Sequence, residues 1–255
     1  GLGAANVGAQ ELALGMVIGS NIFNLLGVLA IAALLIPLKT DDRALKRDGR
    51  FMVYSALALA LLAFYGRLDI WAGSALIVIL SIYIILVVVE ERRLTPDVGS
   101  LHKTKASLIS RVPKSPWLAG LIALIGAGLL TYGSGLVIEA TLGLAVDLGV
   151  GEAILGLFLV AIATSAPELT ISLLAVRKQQ YGVAVGNILG SNIFNGLGIV
   201  GLIGIFQPTP WPAGLHSGDV VALVVASLAL WWALATDHCL TRREGLAALI
   251  LFTLY

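Results

Sequence analysis

Apolar runs close to the ~20 residues needed to cross a ~30 Å hydrocarbon core recur along the whole of this sequence, and they leave few folds open to it. A soluble domain with a single anchor would carry one such run. Here 58% of the 255 residues are hydrophobic and 12% are charged, so the bilayer is the solvent and residues 1–255 read as one transmembrane domain. The expected fold class is an all-α integral membrane protein.

Apolar runs between polar breaks predict spans near 10–37, 51–66, 69–90, 117–141, 150–177, 181–207 and 218–236, with a partial one from about 244. The loops agree with that count. Positive charge gathers in alternate loops: Lys39 to Arg50, Arg92 to Lys114, Arg177 with Lys178, and Arg242 with Arg243. Of the 16 Lys and Arg residues, Arg67 alone falls on the opposite side, so the positive-inside rule orients the chain. It places the stretch 91–116 in the cytoplasm. Pro96, Gly99, Pro113 and Pro116 mark that stretch as a linker between hydrophobic halves 1–90 and 117–255. A net charge of +1 argues against nucleic acid as a partner, and the lone Cys239 has neither a pairing partner nor metal-ligand spacing.

Leu12 to Pro37 matches Val183 to Pro208 without a gap at a constant offset of 171 residues, and the six residues GSNIFN are identical in both. Five loops separate the copies on this span count, an odd number, so the two must run in opposite directions through the membrane. Inverted repeats of this kind build transporters whose substrate sites lie near the midplane, where the halves meet. Within each motif the serine and the final asparagine, Ser20 with Asn24 and Ser191 with Asn195, are four residues apart and share a helix face. The glycines Gly15, Gly19, Gly186 and Gly190 suit close helix packing, but packing asks for small side chains and does not explain paired amides in both copies.

Just before the second copy, Ala161-Ile162-Ala163-Thr164-Ser165-Ala166-Pro167-Glu168 interrupts an otherwise apolar span. A carboxylate at mid-membrane costs ~2.5–3.5 kcal/mol on insertion scales, so such residues face a bundle interior or a wet cavity and mark an ion path. Glu168 is the leading functional candidate. Pro167 cannot donate a backbone hydrogen bond and frees carbonyl oxygen one turn earlier, around Ala163. Thr164 and Ser165 add hydroxyls beside it. An all-oxygen set of this kind suits Ca²⁺, and Na⁺ accepts similar ligands. Glu139 and Glu152 lie near span ends and receive no role.

With ATSAPELTIS at 163–172 and GNILGSNIFN at 186–195, the chain resembles the calcium/cation antiporter superfamily, and within it the prokaryotic sodium/calcium exchanger-like proteins. GMVIGSNIFN at 15–24 resembles the latter half of that family's first repeat, with Met16 where the second copy has Asn187. The resemblance implies an inverted-repeat bundle of five plus five spans, no cofactor and no obligate protein partner. It implies ion ligands from Glu168, Thr164, Ser165, the Ala161 carbonyl, Ser191 and Asn195, joined by Ser20 and Asn24 from the other copy. Offsetting Glu168 by 171 places its counterpart three positions before Gly1, so the acidic half of the first copy is expected outside this sequence, which is also expected to stop short at Tyr255. Asn195 stands where several relatives carry Asp, which bears on stoichiometry and on any coupling to H⁺ or K⁺.

The function expected is exchange of Na⁺ for Ca²⁺ across a prokaryotic inner membrane by alternating access, with proton/divalent-cation exchange on the same scaffold as the alternative. A channel or a nontransporting subunit would not need the inverted repeat. An enzyme is disfavoured, since neither G-x-S-x-G nor H-E-x-x-H occurs and His102, His216 and His238 fall in loops or at span ends.

Overall fold

The computed structural model of the protein describes residues 10–40, 45–94, 160–212, 215 and 217–255, together with scattered helical positions between 115 and 140. Among the described residues five stretches are long and apolar enough to cross a membrane: Leu12–Leu35, Leu45–Tyr65, Ile70–Glu90, Tyr181–Phe206 and Ser217–Thr236. Each falls on an expected span. The expected linker beyond Leu94 and the start of the expected span at 150–177 lie outside the described residues.

The first span is helix α1 (Gln10–Phe23), a π turn (Asn24–Val28) and α2 (Leu29–Leu35) in one continuous run. A second π turn (Leu45–Gly49) leads into α3 (Arg50–Tyr65), and α4 (Ile70–Leu94) follows. The second half holds α5 (Ala161–Thr164), α6 (Ala166–Arg177), α7 (Tyr181–Ile193), a π turn (Phe194–Ile199), α8 (Val200–Phe206), α9 (Ser217–Asp237) and α10 (Arg242–Leu254). The matched repeats therefore share more than sequence. In both, the π turn begins at the end of GSNIFN, where Leu29 N–H donates to Asn24 O and Val200 N–H donates to Asn195 O, five residues back in each case.

The pairing of elements follows a pseudo-twofold axis. Strand β1 (Leu38–Lys39) pairs antiparallel with β4 (Cys239–Leu240), and β2 (Arg67–Leu68) pairs antiparallel with β3 (Thr209–Pro210). Since β1 precedes α3 and β2 follows it, one ladder ties the repeats together at each end of the bundle. Next to the ladders, Thr40 N–H donates to His238 O and Trp211 N–H donates to Gly66 O, both at 2.9 Å, and these are also counterparts. The helices cross over in the same way, α4 against α8 and α10 against α2. Gly73 on α4 lies so close to α8 that a Cβ would stand 2.6 Å from Gly201 O, and Gly245 on α10 would meet Ala30 O and Ala33 Cβ at 3.0 Å. Polar ends repeat too: Tyr83 donates to buried Asp48 at 3.2 Å, and Tyr255 donates to Asp219 at 2.9 Å. Arg47 adds ion pairs to Asp48 (2.7 Å) and Glu90 (2.9 Å) on the first-copy side.

Burial is graded from the middle outwards. The Leu12–Leu35 span is 83% buried, whereas Ile70–Glu90 is only 17% buried. On the outside, Phe64 is 94% and Trp71 82% exposed, an arrangement that water would penalise and lipid does not. Polar side chains sit in the opposite place: Ser20, Asn21, Asn24, Ser165 and Asn192 are buried at the centre.

Candidate functional site

The broken helix forms the first wall of the site. Ser165, with φ −90° and ψ 1°, separates α5 from α6, and Pro167 occupies the first turn of α6. Proline has no N–H to offer the Ala163 carbonyl, so regular helix cannot run through this point. The Ala161 carbonyl accepts from Ser165 N–H and from Thr164 Oγ1, both at 3.1 Å. Ser165 is fully buried, and its hydroxyl meets that of Ser20, 2.7 Å away on α1.

Glu168 follows in the first turn of α6, where the positive end of the helix dipole favours a negative charge. It is half-buried. Ser191 on α7 donates to its Oε1 across a long 3.5 Å, and its Oε2 is buried with no hydrogen-bond partner among the described residues. A buried acceptor left unpaired costs roughly 1–3 kcal/mol, more when it is charged, and bringing a cation to it removes that cost.

The second wall is the crossing of α1 with α7, where four asparagines form an open hydrogen-bonded chain in the order Asn195, Asn21, Asn192, Asn24. Asn21 Nδ2 donates to Asn192 O (3.3 Å) and Asn192 Nδ2 donates to Asn21 O (3.0 Å). Asn24 Nδ2 donates to Asn192 Oδ1, and Asn195 Nδ2 donates to Asn21 Oδ1, each at 3.0 Å. Every bond has its counterpart under the repeat symmetry. Asn24 is fully buried and its Oδ1 has no partner among the described residues, while Asn195 is half-buried.

The structure thus joins Ser20 to Ser165 and Ser191 to Glu168, and it ties Asn24 and Asn195 to each other's repeat. Thr164 stands apart, exposed and turned back onto the Ala161 carbonyl, which is itself occupied by two donors. Sequence reasoning passed over Asn21 and Asn192, although their identity in both copies was the signal. Asn187, one turn before Ser191, stands where the first copy has Met16; its Nδ2 is buried and unpaired among the described residues.

Residues 3–89 and 118–255 match the family model described as "Sodium/calcium exchanger protein". The chain belongs to that sodium/calcium exchanger family. Relatives of this exchanger-family protein include CaxA of Alkalimonas amylolytica, 31% identical over 89% of this chain and 70% of the relative. The sodium/calcium exchanger MaX1 of Methanosarcina acetivorans is 26% identical over 97% of this chain and 79% of its own. Among solved structures, the sodium-calcium exchanger NCX_Mj superposes with a TM-score of 0.67 at 23% identity, covering 98% of this chain and 78% of that one. The H⁺/Ca²⁺ exchanger CAX superposes with a TM-score of 0.74 at 21% identity, covering 96% of this chain and 64% of that one. At those identities the superpositions establish the fold. The exchanger family consists of membrane transporters, not enzymes, and its members move Ca²⁺ against Na⁺ or H⁺.

Proposed function

We propose that this protein exchanges Na⁺ for Ca²⁺ by alternating access, at a midplane site whose anionic ligand is Glu168. Ser165, Ser191, Asn195, Ser20 and Asn24 supply neutral oxygens, with Thr164 and the Ala161 carbonyl recruited when the ion binds. The observation that carries this is the half-buried Glu168 carboxylate, with one oxygen unpaired and the other held loosely by Ser191. A bare carboxylate in low dielectric is unfavourable, so the loaded site reorients more readily than the empty one, and that asymmetry makes transport an exchange. Na⁺ and Ca²⁺ then compete for one set of oxygens. The chain forms a single antiporter domain in a prokaryotic inner membrane, with the first-repeat half at 1–90, the second at 117–255 and the 91–116 loop in the cytoplasm.

In vesicles, Glu168→Gln keeps the shape and removes the charge, and sodium-gradient-driven uptake of radiolabelled calcium should fall to background. Uptake retained by that variant rejects the assignment. A second reading, proton/Ca²⁺ exchange with Glu168 carrying the proton, draws on the amide at Asn195 in place of a second carboxylate and on the superposition with CAX. Calcium uptake driven by a pH gradient in sodium-free buffer would select it.

A further inference from the structure

We infer that Asn21 and Asn192 are positioning residues that fix which end of the Asn24 and Asn195 amides is left for a cation. The inference rests on the proposed cation site. An amide has a donor end and an acceptor end of nearly equal size, so helix geometry alone does not decide which one a bound ion meets. The backbone decides it here. A backbone carbonyl only accepts, so the Asn21 atom 3.3 Å from Asn192 O and the Asn192 atom 3.0 Å from Asn21 O must be nitrogens.

The opposite ends of those two side chains are therefore oxygens. Each faces an atom of the other repeat's final asparagine at 3.0 Å, and that atom must donate, so it is the nitrogen of Asn24 or of Asn195. What remains on each ligand amide is its oxygen. Asn24 Oδ1 is the buried atom with no partner among the described residues, and an oxygen is what a hard cation requires.

The same wiring selects the residue type. An ionised carboxylate at 24 or 195 would press an acceptor against an acceptor, and only its protonated form could keep the bond. Asn195 is matched to Asn21, whose oxygen is already committed. Because each positioning residue acts on the other repeat, the couplings run from Asn21 to Asn195 and from Asn192 to Asn24.

The test uses the complete transporter in liposomes, with the KM for Ca²⁺ and the maximal rate measured separately. Asn21→Leu keeps the volume but offers no acceptor, and it should raise KM about 10-fold, the lower end of losses for partners that orient a metal ligand, with a smaller change in maximal rate. Asn21→Asp, whose protonated carboxyl can still donate to Asn192 O while accepting from Asn195, should recover most of that KM. Asn21→Leu should add little to Asn195→Ala, its direct hydrogen-bond partner, and multiply with Asn24→Ala, whose amide is held by Asn192 instead. Equal KM losses for the Leu and Asp variants, or a multiplicative effect of positions 21 and 195, would overturn the proposal. If Asn21→Leu does not fold, Asn21→Ser takes its place in the same cycles. An unchanged KM in Asn21→Leu beside a dead Glu168→Gln removes the positioning role alone, whereas an active Glu168→Gln removes the cation site beneath it.

Discussion

The spans Leu12–Leu35 and Tyr181–Phe206 are copies down to the same π turn, yet they sit differently in the molecule. The first is 83% buried and the second 61%. Asn24 is fully buried while Asn195 is half-buried, and Met16 is answered by Asn187. Backbone symmetry and chemical symmetry have come apart. Crossing geometry depends on small residues and paired amides, which both copies kept, while the polar side chain of Asn187 is present in the second copy alone.

The largest expected effect tests that division directly. Glu168→Gln should abolish gradient-driven calcium uptake while leaving the asparagine hydrogen bonds, and hence thermal stability in detergent, nearly intact. A variant that both unfolds and stops transport would mean that the carboxylate supports the crossing, and the separation of scaffold from chemistry would be lost.

Next come the two crossover contacts. At Gly73 an added methyl would collide with the backbone of Gly201 and Gly204, at 2.6 and 2.8 Å, whereas at Gly245 it would meet Ala30 O and the Ala33 methyl at 3.0 Å. The approach at Gly73 is closer by several tenths of an ångström and needs the larger shift, so Gly73→Ala should cost ~1–3 kcal/mol and Gly245→Ala less than about 1. Thermal denaturation of the two variants ranks them, and an equal loss would show that the α4–α8 and α2–α10 contacts are equally tight.

Making the copies alike at their chief mismatch should have a smaller effect, of opposite sign. Asn187 Nδ2 is a buried donor with no partner among the described residues, and such groups cost about 1–3 kcal/mol. Asn187→Met installs the side chain of the first copy and should gain about 1 kcal/mol of stability at some expense to transport, the usual trade at functional sites. A stability gain with wild-type uptake would show that Asn187 has no part in transport.

How much of this was legible in sequence follows from the kind of signal each residue gives. The repeat and the broken helix at Pro167 were legible because identity at a fixed offset and a proline beside a carboxylate in an apolar run are local patterns. Ser20 and Ser191 were placed on faces, but a face does not name its partner, and pairing Ser20 with Ser165 takes the antiparallel crossing. Asn21 and Asn192 escaped because only the crossing sets their oxygens against Asn195 and Asn24. The second set of counterparts was hidden by one residue: beyond α3 the offset grows from 171 to 172, which relates Gly66 to His238, Gly73 to Gly245 and Tyr83 to Tyr255.

That shifted offset supports the smallest prediction. Gly66, at φ 79°, ends α3 with its N–H bonded to Leu62 O, and its counterpart His238 adopts φ 48° after α9. Both carbonyls accept from the opposite repeat, so the left-handed turn is required twice and neither copy can relax it. Glycine enters this region without a steric penalty and an L side chain does not, a difference of roughly 1 kcal/mol. His238→Gly should therefore stabilise the protein, and Gly66→Ala should destabilise it by a similar amount, with uptake unchanged in both because each turn lies at the end of the bundle. A destabilising His238→Gly would mean that the imidazole contributes more than its backbone strain takes away, and the two turns would then be equivalent in shape but not in energy.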